Sequence, residues 1–265
     1  MSGNSAFEMI SEGGWRRGLG NMLRSELARW WTTRMWWVQS LIWVGIIGFM
    51  LGAILFGSPD EPPPGDVVAI IYAVFAGLFP AVGVVIIMQG AVVGEKKDGT
   101  ASWVLSKPVT RPAFMLSKVI ANSLGMLATM IVLPGVVAYT LQAVAPGAPW
   151  KLPVFLVALS VVFLSNFFFL SLTLMLGTFF SRRGPVIGIA LGLLFMQQYL
   201  VGFLPFLRYL LPWNLVIPIG SPVNAVVPCL LLGTQYFSNI PILVVALESI
   251  LFILIALVRF NREEF

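Results

Sequence analysis

An all-α, polytopic membrane protein is the fold class this sequence predicts, and two observations carry that reading. Hydrophobic residues make up 58% of the 265-residue chain and charged residues 10%, against roughly 45–50% and 25% in ordinary globular proteins. The charges are also spaced so that long stretches carry none. Gaps of 25, 28 and 32 residues separate Arg34 from Asp60, Asp66 from Glu95, and Lys118 from Lys151. Gaps of 30, 24 and 39 residues then end at Arg182, Arg208 and Glu248. A helix crossing a bilayer needs about 20 mostly apolar residues, and these gaps supply them.

Hydropathy places six spans at residues 36–57, 67–93, 119–145, 153–180, 185–207 and 240–258. Pro80 and Pro134 fall inside the second and third and predict kinks, since neighbouring helices can satisfy the freed carbonyls. The first apolar run follows five arginines, as a secretory signal would. It is longer than the ~7–15 residues of such a signal, which predicts a permanent span. Low-complexity, disordered sequence is expected at residues 1–14 and around the prolines of 57–65.

Lysine and arginine set the expected orientation. With six spans and both termini cytoplasmic, 14 of the 16 basic residues lie inside, and only Lys151 and Arg208 lie outside. Residues 208–239 are apolar but contain Pro212, Pro218, Pro222 and Pro228. A seventh span there would reduce the asymmetry to 12:4, so a re-entrant outer hairpin before the last span is expected. Small residues recur four apart in two spans: Ala69, Ala73, Gly77 and Ala81, and Gly184, Gly188 and Gly192. Such stripes let helix backbones approach closely; packing within one subunit is expected ahead of a subunit–subunit contact.

Several function classes fall on composition. The chain has no histidine and one cysteine, Cys229, so histidine chemistry, internal disulfides and Cys or His metal sites are excluded. A copper route would have only methionines such as Met88, Met126, Met130, Met175 and Met196, which suit packing better. The net charge of +5 is explained by membrane topology and requires no nucleic acid.

Three places could carry function. Residues 15–35 combine Leu19, Met22, Leu23, Leu27, Trp30 and Trp31 at helical spacing with Arg16, Arg17, Arg24 and Arg29. They predict an amphipathic helix in the inner interface, with tryptophans at headgroup depth and arginines toward lipid phosphates. The loop 94–118 holds a short apolar run, Trp103-Val104-Leu105, between charged flanks. Thr100 is expected to cap a two-turn helix there and Pro108 to end it. Trp103 and Leu105 are then candidate anchors for a partner groove. Glu248 is the one acid inside a span; intramembrane acids line pathways or find polar partners, here Asn166, Gln197 or Gln198.

The loop resembles the second-to-third-span loop of the membrane subunits of ABC-2 type ABC transporters. The matching residues are Glu95, Gly99, Thr100, Ser106, Pro108, Arg111 and Lys118. The layout of interfacial helix, six spans and outer hairpin agrees, so the resemblance covers nearly the full chain as architecture and about 25 residues as motif, and implies a single transmembrane domain over residues 1–265. It implies that 94–118 is a coupling loop docked on a separate cytoplasmic ATPase subunit, with Glu95, Gly99, Thr100, Trp103, Leu105, Pro108 and Arg111 as the coupling residues. It further implies two ATPase copies and a second transmembrane subunit, identical or related, in a plasma or inner membrane of prokaryotic type. None of the five lysines follows a glycine, so the chain offers no phosphate-binding Gly-Lys-Ser/Thr loop. No cofactor is expected on this chain; ATP and Mg belong to the partner, and the chain itself is no enzyme. Alternatives are a gradient-driven transporter or channel using Glu248, a membrane enzyme with a very thin catalytic repertoire, or a membrane anchor that moves nothing.

Overall fold

The computed structural model describes residues 14–57, 62–146, 149–220 and 224–263. Residues 1–13, and residues 58–61 of the low-complexity stretch at 57–65, lie outside the described residues. Among the described residues the chain is helical, with no strand. Six helices are long and apolar enough to span a membrane: Met35–Phe56, Gly65–Lys97, Arg111–Val144, Leu152–Phe179, Arg183–Phe203 and Ile240–Asn261.

In chain order, α1 is Leu19–Trp31, α2 Met35–Phe56, α3 Gly65–Met88, α4 Val93–Lys97 and α5 Thr100–Leu105. The third span is built from α6, Arg111–Met126, and α7, Leu133–Val144, joined by a π-helical segment at Leu127–Val132. That widened turn sits just before Pro134, whose missing N–H relieves the ladder where the helix re-forms. Pro80, by contrast, lies within an uninterrupted α3. The expected kinks therefore resolve into one break of the α pattern and one continuous helix.

The remaining elements are α8 (Leu152–Phe179), α9 (Arg183–Phe203), α10 (Trp213–Val216), α11 (Val226–Leu232) and α12 (Ile240–Asn261). The stretch between α9 and α12 forms no seventh span. Its two short α-helices bury Trp213–Val216 and Val226–Cys229, and α11 packs against α3 and α8. The central helix is α8, which pairs with α12 on one side and α3 on the other.

The two small-residue stripes end in different environments. Ala69, Ala73, Gly77 and Ala81 of α3 are buried, and a Cβ on Gly77 would lie 2.5 Å from Val216 Cγ1 of α10. Gly184, Gly188 and Gly192 of α9 are exposed, and a Cβ on any of them would meet nothing within 4 Å. Packing within one subunit thus holds for α3 and not for α9, where among the described residues no helix covers the stripe.

Candidate coupling surface

At one end of the bundle, α1, α4, α5, the start of α6 and the C-terminal turns of α8 and α12 converge, bringing the strongly basic segments together. The base of this assembly is Lys118 of α6, a fully buried lysine. Its Nζ donates to Glu26 Oε1 of α1 at 2.6 Å and also to Glu95 Oε1 of α4. A buried ammonium is tolerable only when carboxylates replace its water, and here two elements each supply one. Removing one partner of such a cluster costs about 3–5 kcal/mol, because a buried charge is left behind.

The α1–α6 contact continues through residues spaced one helical turn apart. Trp30 Nε1 donates to Asn122 Oδ1 at 2.9 Å, and Asn122 Nδ2 donates to the Lys118 carbonyl at 2.7 Å. The Trp30 ring lies so close over Gly125 that a Cβ there would meet Cδ2 at 2.3 Å. Met22, Glu26 and Trp30 therefore form the face of α1 turned to the protein, and Trp30 is only 2% exposed. Trp30, expected among the tryptophans facing the headgroups, is instead packed against α6. Trp15, Trp31, Trp36 and Trp37 remain exposed, as do Arg16, Arg17, Arg24, Arg29 and Arg34.

The chain ahead of α1 straps the exit of the loop. Thr110 donates through Oγ1 to the Trp15 carbonyl at 2.6 Å and through its backbone N–H to the Arg17 carbonyl at 3.1 Å. Gly18 adopts φ +80° with Val109 against it, a conformation and a space that a side chain would not share. On the far side, Lys96 Nζ pairs with Glu263 at 2.6 Å and donates to the Thr178 carbonyl at 3.0 Å. Arg111 donates to the Asn261 carbonyl. The loop is thereby tied to α1, α6, α8 and the end of α12.

On this support α5 projects outward. Gly99, in the left-handed region at φ +69°, occupies the N-cap, and Thr100 is the first helical residue rather than the cap. Trp103 is 62% exposed, with Lys107 Nζ 3.5 Å from its ring centroid. Of the two candidate anchors, Trp103 is thus exposed, while Leu105 is half-buried and packs against the core. Thr100 and Pro108 are exposed beside Trp103. Between α5 and the strap lies an open groove of about 640 Å³, with Ser102, Leu105 and Ser106 on one wall and Trp15, Arg111 and Asn261 on the other. The helix is thus held from several sides and presents one exposed tryptophan over a groove.

A family model of ABC-2 family transporter proteins matches residues 21–265. The chain belongs to that family. It is a multi-pass membrane protein of the kind that forms the transmembrane subunit of an ABC transporter, and family membership implies an ABC ATPase partner. Among curated proteins no relative matches it.

Within the spans of this permease, the polar residues singled out from the sequence do not form one site. Glu248 is half-buried, and its Oε2 is buried without a hydrogen-bond partner. Asn166 instead donates to the carbonyls of Val162 and Ala76, at 2.9 and 3.3 Å. Gln197 donates to the Leu194 carbonyl at 3.1 Å, and Gln198 is exposed. None of the three is bonded to Glu248, which corrects the expected pairing. The methionines are likewise dispersed: Met88, Met126 and Met130 line a void of about 10 Å³ beside Trp30, whereas Met196 is exposed on α9.

Sequence reasoning missed Glu26. It is the one acid among the arginines of α1, and its spacing of four from both Met22 and Trp30 was the available signal.

Proposed function

We propose that the permease forms half of the translocation path of an ATP-driven exporter and couples to its ATPase through α5. The observation that carries this reading is Trp103, exposed on a helix whose base is anchored by the Glu26–Lys118–Glu95 cluster. Two ATPase subunits, each holding ATP and Mg, close beneath two permease subunits and push on 99–108. Glu95 acts as a strut to Lys118, and Arg111 as a strut to the end of α12. Thr100, Trp103 and Pro108 form the contacting edge. Because α1 is held to the same lysine, the push reaches the interfacial helix and the third span together.

The basic end is the cytoplasmic one, with both termini inside, on the support of the 14:2 distribution of lysine and arginine. The α10–α11 segment then enters the membrane from the outer side. The second permease subunit packs on α9, whose open glycine stripe supports a close helix approach. An apolar or amphipathic cargo fits a chain whose spans carry so few charges.

Trp103→Asp tests the docking edge. The variant should insert and fold as the parent does, since the side chain is largely outside the protein, yet lose the ATPase on co-purification. Full retention of the ATPase by Trp103→Asp would move the contact away from α5.

A further inference from the structure

A groove of about 320 Å³ opens on the side of the bundle, where the last turn of α8 meets the last turns of α12. Its walls are Phe179, Leu254, Ile255 and Val258, and Arg259 and Arg262 stand at its end. Leu254, Ile255, Val258, Arg259 and Arg262 recur at helical spacing, so one face of α12 passes from apolar to basic as the helix leaves the membrane. The Arg259 guanidinium lies 5.9 Å from the Phe179 ring centroid, over the mouth of the trough. Among the described residues no carboxylate pairs with either arginine. The adjacent acid, Glu263, is taken by Lys96 at 2.6 Å. Arg183, from the neighbouring turn, points instead toward Gly90 and Gly94. Among the described residues the groove thus keeps two guanidiniums without a carboxylate partner beside an apolar slot.

We propose that this groove binds an anionic phospholipid of the cytoplasmic leaflet, one acyl chain in the trough and the phosphate between Arg259 and Arg262. The complementarity is in both parts of the ligand. Arginine presents a planar fork of donors that matches phosphate oxygens, and exposed apolar residues at this depth require a lipid chain or a protein against them. Two arginines that merely mark the inner side of a span would reach toward any headgroup and would not need a trough beside them. The inference uses the proposed orientation to name the leaflet but not the proposed ATPase coupling.

The test is electron spin resonance of spin-labelled phosphatidylglycerol and phosphatidylcholine in phosphatidylcholine bilayers containing the full-length permease. The parent should immobilise phosphatidylglycerol in preference to phosphatidylcholine, with one selective site per chain that persists in raised salt. Arg259→Gln/Arg262→Gln should weaken that selectivity roughly thirtyfold, at about 1 kcal/mol for each basic residue near the surface. Val258→Trp, which keeps both arginines and fills the trough, should abolish the site as well. Arg16→Gln/Arg17→Gln, which removes as much charge from the exposed strap, should leave it in place. Equal loss in the strap variant would reduce the effect to general surface charge and overturn the proposal. Unchanged selectivity in Val258→Trp, or none in the parent, would also overturn it, the latter meaning that protein covers the groove.

Discussion

The stripes on α3 and α9 have the same sequence signature and opposite fates. On α3, Ala69, Ala73, Gly77 and Ala81 are covered, and Val216 of α10 presses on Gly77. On α9, Gly184, Gly188 and Gly192 are open. Small residues at a spacing of four specify a surface that a backbone can approach closely, without specifying whose backbone approaches. In α3 the partner belongs to the same chain; in α9 no described residue of the chain lies against the glycines.

The sharpest way to break this comparison is to fill both stripes with the same residue. Gly77→Leu should be the most damaging, because its Cβ alone would lie 2.5 and 2.7 Å from Val216 atoms. Overpacking of this kind costs about 1–3 kcal/mol or more and should appear as a lowered melting temperature and poor recovery of monodisperse protein. Gly188→Leu should change the subunit's own melting by less than about 0.5 kcal/mol, as a side chain added to open space does. Its effect should appear in assembly, as loss of the permease–permease species in native mass spectrometry. If Gly188→Leu destabilised the isolated subunit as much as Gly77→Leu, the distinction between the stripes would fail.

Most of the fold was legible in the sequence because the spans are defined by where charge is absent. The third span shows why the boundaries were less so. Hydropathy placed its start at residue 119, just after Lys118, yet the helix begins at Arg111. Lys118 was read as the edge of the membrane because a lysine's charge normally needs water. In the fold Glu26 and Glu95 take the place of that water, so the helix runs through it. The charges could be counted but their pairing was invisible, since Glu26 lies 92 residues from its lysine.

The site was legible in part for the same reason. Trp103 and the end of its helix follow from local rules, a short apolar run bounded by glycine and by Ser-Lys-Pro. Which face of that helix points outward is a tertiary fact, and so Leu105 was expected on the surface but packs inward. Glu248 was found as the exceptional acid, whereas its lack of a bond to Asn166 of α8 or Gln197 of α9 depends on how those helices are turned relative to α12. Local sequence identified the unusual residues; helix rotation decided their neighbours.

The central claim, that α5 is the surface on which the ATPase docks, is tested most directly by photo-cross-linking from position 103. A benzophenone side chain in place of Trp103 should form an adduct with a soluble protein that carries a phosphate-binding loop. The same probe in place of Phe49, which is exposed on the apolar span α2, should form none. An adduct from position 103 with lipid alone, in membranes that contain the assembled complex, would contradict the account.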